Sequence, residues 1–124
     1  MYVDTNILIR LATNDIPQLA AEADRLLSAC RHRSVIVDNT VVEEATFVLQ
    51  KYDKYLLPRE TIMEVMKVVL ARDELVVDAA VFRALEMFAL HPKLDFVDCL
   101  LAVKAGGKRK NLLTFDTELQ RALR

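Results

Sequence analysis

The sequence predicts a single-domain α/β fold, a three-layer sandwich in which a short, mostly parallel sheet is flanked by helices. Short apolar runs of three to five residues alternate with longer stretches whose apolar residues recur at helical spacing. The chain has 124 residues, enough for one hydrophobic core but not for two. No repeat or linker interrupts the alternation, so we expect residues 1–124 to form one domain. Strands separated by helices favour βαβ units and a parallel sheet.

The first half of the chain predicts two strands and four helices. Asp4 directly follows an apolar run, so a short buried strand delivers its carboxylate to the start of a helix. Asp38, Asn39 or Thr40 can cap a later helix, and Thr40 and Glu43 have the spacing of a capping box. The elements expected are a strand ending at Asp4, a short helix through Ala12, a helix from Pro17 to Cys30, a strand at 34–37, a helix ending near Tyr52 and a helix from Pro58 to Leu70.

The second half repeats the pattern. Gly106 and Gly107 follow a helical stretch and predict its C-terminal stop. The elements expected are a strand at 75–77, a helix capped by Asp78 that ends before Pro92, a helix from about Asp95 through Lys104, a basic turn at 108–110, a strand at 111–115 and a helix at 117–123.

Composition limits the possible classes of protein. Hydrophobic residues make up 53% of the chain, which is high for a soluble monomer and favours a protein–protein surface. No apolar run reaches the roughly 18 residues of a membrane span, and the sequence lacks an export leader, so we expect a cytoplasmic protein. Cys30 and Cys99 are expected to be reduced core thiols. The net charge of −1 means that any nucleic-acid footprint is a local patch.

Four acidic residues are expected to meet at one edge of the sheet. Asp4 and Asp116 end predicted strands, while Glu44 and Asp98 lie in the first turns of helices. Two carboxylates about 5 Å apart would repel by roughly 3 kcal/mol at an effective dielectric of 20. Such a cluster must hold protons or a cation. Oxygen ligands with no nearby Cys or His select Mg²⁺ or Mn²⁺ over zinc.

Structural roles compete with this interpretation. Asp38 and Asp78 are better explained as helix N-caps, and Asp98 could be only a capping-box partner of Asp95. His32 and His91 lie in predicted loops and are interpreted as ordinary exposed residues. The sequence predicts no aromatic platform for RNA, because its phenylalanines at helical positions look like core residues: Phe47, Phe82, Phe88 and Phe96.

Four motifs together carry a resemblance that spans nearly the whole chain. The chain resembles the PIN domain and, most closely, the VapC-like ribonuclease toxins of toxin–antitoxin pairs. Each motif is weak alone, but the four in this order are specific. They are Val-Asp4-Thr5-Asn6-Ile-Leu, Val-Val-Glu-Glu44-Ala-x-x-Val-Leu, Asp95-Phe-Val-Asp98-Cys-Leu-Leu-Ala and Leu-Leu-Thr114-Phe-Asp116.

This resemblance implies a Mg²⁺- or Mn²⁺-dependent endoribonuclease. The metal would be held by Asp4, Asp98 and Asp116, with Glu44 holding the metal or orienting its water. An RNA substrate, a cognate antitoxin and a homodimer are the implied partners. The resemblance assigns supporting roles to Asn6, Thr114 and Asp95, and the basic residues that could contact phosphate are Lys104, Lys108, Arg109 and Lys110.

One departure from the family and two other functions remain open. Only residues 117–124 follow Asp116, whereas relatives often add another strand, so either an edge strand is absent or the sequence is shortened. A phosphoryl-transfer domain also places an aspartate after its first strand. A haloacid-dehalogenase-like phosphatase, however, requires a second aspartate where this chain has Asn6. The non-enzymatic alternative is a nuclease-like fold used as a binding module, and only the retained acids argue against it.

Overall fold

A computed structural model describes residues 1–124 as a helix-rich α/β fold with a short parallel sheet, which confirms the predicted class. Seven α-helices surround two short strands, and one 3₁₀ turn precedes the last helix. The elements are α1 (Thr5–Thr13), α2 (Pro17–Ser28), β1 (Val35–Ile36), α3 (Asn39–Lys51), α4 (Arg59–Leu70), β2 (Leu75–Val76), α5 (Ala79–Leu90), α6 (Phe96–Lys104), the 3₁₀ turn (Arg109–Asn111) and α7 (Thr117–Ala122).

The sheet pairs β1 and β2 in parallel, and the chain's opening residues lie along the other side of β1. The predicted first strand is reduced to a single bridge between Tyr2 and Ile36. In it the Ile36 N–H donates to the Met1 carbonyl (2.7 Å) and the Val3 N–H donates to the Ile36 carbonyl (3.2 Å). Asp4 therefore still follows a segment that runs parallel to β1 and leads into a helix.

The predicted strand at residues 111–115 is wrong. The Leu112 N–H donates to the Arg109 carbonyl (3.2 Å), so a 3₁₀ turn ends where the strand was expected to begin. The side chains of Leu113 and Phe115 are fully exposed (102% and 103%), and the segment pairs with neither strand of the sheet. An apolar run becomes a strand by pairing with an edge and burying one face, and this run does neither.

Helix ends follow the sequence closely. The carboxylates of Asp38, Asp78 and Asp95 each accept a backbone N–H in the first turn of α3, α5 and α6, as N-caps do. Gly106 and Gly107 both have positive φ (68° and 71°), and their N–H groups donate back into the last turn of α6. Positive φ carries little steric cost for glycine, so the pair ends α6 as predicted.

A single cluster of 24 buried residues, from Val3 to Leu123, forms the core between the sheet and the helices. α5 packs against both α4 and α6. Cys99 is a buried free thiol, and its burial raises its pKa to about 12. Cys30 is a half-buried free thiol. His32 and His91 are exposed, as expected. None of the helices combines the length and the apolar character that crossing a membrane requires.

Candidate active site

The start of α1 joins two of the predicted acids through one residue, Thr5. Asp4 caps α1 by accepting the Thr5 N–H (2.7 Å). The Thr5 side chain is 5% exposed, and its hydroxyl donates to Oε2 of Glu44 (3.0 Å) on the second turn of α3. Asn6, the predicted supporting residue, is exposed on the first turn of α1. The sequence alone assigns no role to Thr5, although the position of its hydroxyl between the acid Asp4 and the amide Asn6 could have indicated one.

The start of α6 holds a second acidic group. Asp95 accepts the Asp98 N–H (2.8 Å) while Asp98 accepts the Asp95 N–H (3.3 Å), so the capping box considered for these residues is present. Partial burial raises the pKa of Asp98, and the negative charges of Asp95 and Asp116 raise it further. Asp116 therefore lies close enough to Asp98 for their charges to interact.

Asp116 caps the last helix. Its Oδ1 accepts the N–H groups of Glu118 (2.9 Å) and Leu119 (3.2 Å) at the start of α7. Its own N–H donates to the Thr114 hydroxyl (3.0 Å), so Thr114 contacts the acid that it was predicted to support. Because three hydrogen bonds fix the backbone and side chain here, Asp116 has a defined orientation although the segment before it is not a strand.

The four acids are thus linked two by two: Asp4 and Glu44 both accept hydrogen bonds from Thr5, and the charge of Asp116 acts on Asp98. No three acidic, His or Cys side chains of the chain lie close enough together to hold one ion. The chemistry of the donors nevertheless fits Mg²⁺ or Mn²⁺, because every candidate ligand is a carboxylate oxygen. The raised pKa of Asp98 reflects the electrostatic cost of its charged form, and a bound cation would relieve that cost.

A cleft of about 400 Å³ opens between α3 and the start of α6. Glu44 and Asp95 line it, and so does Phe47, whose side chain is 65% exposed. The expectation that Phe47 belongs to the core is therefore wrong. Helical spacing could not distinguish it from a core residue, since it lies beside the buried stripe of α3. Phe88 and Phe96 are buried as expected.

A family model described as the PIN domain matches residues 1–123. The chain belongs to the PIN-domain family. Comparison with curated proteins and with solved structures gives no significant match. PIN domains are generally nucleases, so the acids lie within a nuclease fold.

Two of the four basic residues predicted to contact phosphate in this PIN domain are already engaged. Lys104 forms an ion pair with Asp78 (3.3 Å). Arg109 donates through Nε to the Gln120 carbonyl (2.9 Å), which ties the 3₁₀ turn to α7. Lys108 and Lys110 are exposed on the same turn.

Arg59 fixes the turn that presents the α6 acids of the PIN domain. Its Nη1 donates to the carbonyls of Phe88 (2.9 Å), His91 (3.0 Å) and Leu94. The guanidinium also lies over the Phe88 ring, 4.1 Å from its centroid. One side chain from α4 thus satisfies three carbonyls between α5 and α6, and this positions Asp95. No pattern in the sequence pointed to this role.

Proposed function

We propose that this PIN domain is a Mg²⁺- or Mn²⁺-dependent endoribonuclease that cleaves phosphodiester bonds of single-stranded or looped RNA. We further propose that it is the toxin of a type II toxin–antitoxin pair. The observation that carries the first proposal is the pairing of acids within a nuclease family. Thr5 donates to Asp4 through its N–H and to Glu44 through its hydroxyl, and Asp98 interacts electrostatically with Asp116.

The proposed metal ligands are Asp4, Asp98 and Asp116, which would hold one or two ions directly or through water. A bound Mg²⁺ or Mn²⁺ ion would neutralise charge on the phosphodiester and lower the pKa of a bound water. Asp98 holds a proton more readily than an ordinary aspartate, because its pKa is raised. A bound cation would offset the repulsion and desolvation that raise this pKa.

The remaining residues of the site act by orientation. The hydrogen bond from Thr5 restricts the carboxylate of Glu44, which in the proposed mechanism orients the attacking water. Neither histidine is needed as a base, and both lie in exposed loops. Lys108 and Lys110 remain the candidates for phosphate contact, because Lys104 and Arg109 already have partners.

Exposed apolar side chains support the proposal of an antitoxin partner and a homodimer. The turn between α3 and α4 was expected to expose Tyr52, Tyr55, Leu56 and Leu57; Tyr52 and Leu56 are exposed, whereas Tyr55 and Leu57 pack against the core. A separate, mostly apolar groove of about 260 Å³ runs along the opening residues and α2. Sedimentation at micromolar concentration, with and without a small protein encoded beside this one, tests this part. A monomer that binds no such protein would contradict it.

The experiment that tests the activity compares three substrates. The purified protein is incubated with RNA, DNA and a phosphomonoester in Mg²⁺ or Mn²⁺, and the products are separated by size. We expect endonucleolytic fragments of RNA only. Hydrolysis of the phosphomonoester alone would indicate a phosphoryl-transfer domain. RNA binding without any cleavage would indicate a non-catalytic binding module, a function favoured by the lack of three acids close enough to share one ion.

A further inference from the structure

One face of α3 carries an aromatic side chain between polar ones. Thr40, Glu43, Phe47 and Gln50 follow each other at intervals of three, four and three residues, so they lie in one row along the helix. All four line the cleft of about 400 Å³. Phe47 is exposed although Val42 on the same helix is completely buried. A large aromatic surface therefore faces the cleft rather than the core.

The opposite wall of the cleft comes from the start of α6. Asp95 and Val97 contribute there, and the buried rings of Phe88 and Phe96 form the floor. The cleft volume lies at the small end of the roughly 300–1,000 Å³ typical of ligand pockets, which suits one ring system rather than a folded partner. Its lining alternates an aromatic face with carboxylate and amide groups, the pattern that binds a flat ring with polar edges.

We propose that this cleft binds one unpaired RNA base, stacked on Phe47, with an amino group of the base donating to Glu43. Stacking on an aromatic side chain suits any base, because every base has a π face. A carboxylate accepts hydrogen bonds only, so Glu43 favours bases with an exocyclic amino group, such as cytosine, over uracil. Gln50 both donates and accepts, and it adds a second contact to the base edge.

This site rests on the proposed ribonuclease function and makes it more specific. Phe47 lies one turn after Glu44 on α3, so the stacked base would lie beside the acid that Thr5 holds. Binding one base there would determine which neighbouring phosphodiester reaches the acids. The cleft would then give the enzyme a preference for the base next to the cleaved bond.

The test measures RNA binding separately from cleavage. Fluorescence anisotropy with labelled short oligocytidylate and oligouridylate gives Kd in Mg²⁺ for an Asp98→Asn background, which does not cut the probe. We expect Phe47→Ala to raise Kd for oligocytidylate on the order of 10- to 100-fold and Phe47→Tyr to leave it nearly unchanged. Glu43→Gln should reduce the preference for oligocytidylate over oligouridylate.

Tyr52→Ala is the matched control, since Tyr52 is an exposed aromatic residue at the end of the same helix but outside the cleft. Circular dichroism checks that each variant is folded. Equal Kd values for the Phe47→Ala variant and its parent would overturn the proposal, as would an equal loss in the Tyr52→Ala variant. Dissociation of a dimer by Phe47→Ala with no change in RNA binding would show that Phe47 contacts protein instead.

Failure of this site and failure of the proposed function are distinguishable. If the chain without the Asp98 change cuts RNA but Phe47→Ala changes neither Kd nor the cleavage positions, only the base site is wrong. If that chain cuts no RNA while RNA binding depends on Phe47, the base site stands and the catalytic proposal is wrong. Absence of RNA binding by the Asp98→Asn parent would overturn the base site. Cleavage of RNA by the unmodified chain would still test the proposed activity independently.

Discussion

Thr5→Val removes one hydroxyl from the site while keeping a β-branched side chain of similar volume. Thr5 is almost completely buried, and its only side-chain hydrogen bond goes to Glu44 at 3.0 Å. Glu44 is exposed and recovers water as a partner, so the loss in unfolding free energy should be about 0.5–1.5 kcal/mol, at the level of an ordinary hydrogen bond. For a chain of this length that lowers the melting temperature by roughly 2–6 °C.

Activity should fall much more than stability suggests. Groups that orient a metal ligand or catalytic carboxylate typically contribute about 10- to 100-fold to metal affinity or activity. We therefore expect kcat/KM for RNA cleavage to fall by about that factor in the Thr5→Val protein, with Thr5→Ser restoring most of it. The assay is initial-rate cleavage of a labelled structured RNA beside thermal melting of all three proteins.

The comparison of valine with serine decides how Thr5 acts. Serine keeps the hydroxyl but loses the methyl group, whereas valine keeps the methyl group but loses the hydroxyl. If both variants lost the same activity, packing rather than the hydrogen bond would be responsible. If Thr5→Val cleaved RNA at the wild-type rate, the role of Glu44 in orienting the attacking water would be refuted.

Three further predictions follow from individual contacts. Mn²⁺ at about 100 times its Kd should stabilise the wild type by roughly 2.7 kcal/mol, while Asp4→Asn should melt with a clearly smaller shift; equal shifts would contradict a shared metal site. The Lys54 ammonium and other donors lower the pKa of Asp15, so Asp15→Asn should cost about 1–2 kcal/mol at neutral pH in urea unfolding. This difference should shrink as pH falls below about 4, because a lowered pKa stabilises the fold only where the unfolded state has lost its proton. Arg59→Lys should cost about 1–3 kcal/mol in the same assay, because an ammonium lacks the planar guanidinium that lies over the Phe88 ring while it reaches the three carbonyls, and an unchanged midpoint would show that this contact is dispensable.

Local patterns in the sequence were sufficient for the helices and their ends. Asp38, Asp78 and the Gly106–Gly107 pair act through backbone groups within a few residues, so spacing alone predicts them. The first strand and the strand at 111–115 depended on partners distant in sequence. The former keeps one bridge beside β1, while the latter pairs with neither strand, and local composition carries no information about either outcome.

The sequence predicts the four acids as one site, which stays a prediction, but it does not predict the contacts that each acid makes. Their positions after predicted strands and at helix starts placed Asp4, Glu44, Asp98 and Asp116 near one edge. That Thr5 connects two of them depends on a contact between residues 39 apart in sequence, which a pattern cannot supply. The exposure of Phe47 likewise depends on residues distant in sequence, because the width of the cleft is determined by how α6 packs against α3.

The most direct test of the central claim is cleavage of structured RNA by the wild type and by Asp98→Asn, with EDTA as a second control. Asp98 is the acid whose pKa both burial and neighbouring charges raise, so its replacement by asparagine should relieve repulsion and preserve the fold, which circular dichroism can confirm. We predict cleavage by the wild type in Mg²⁺ or Mn²⁺ and none by the variant or in EDTA. Cleavage that persists in both would contradict a carboxylate-bound metal as the origin of the activity.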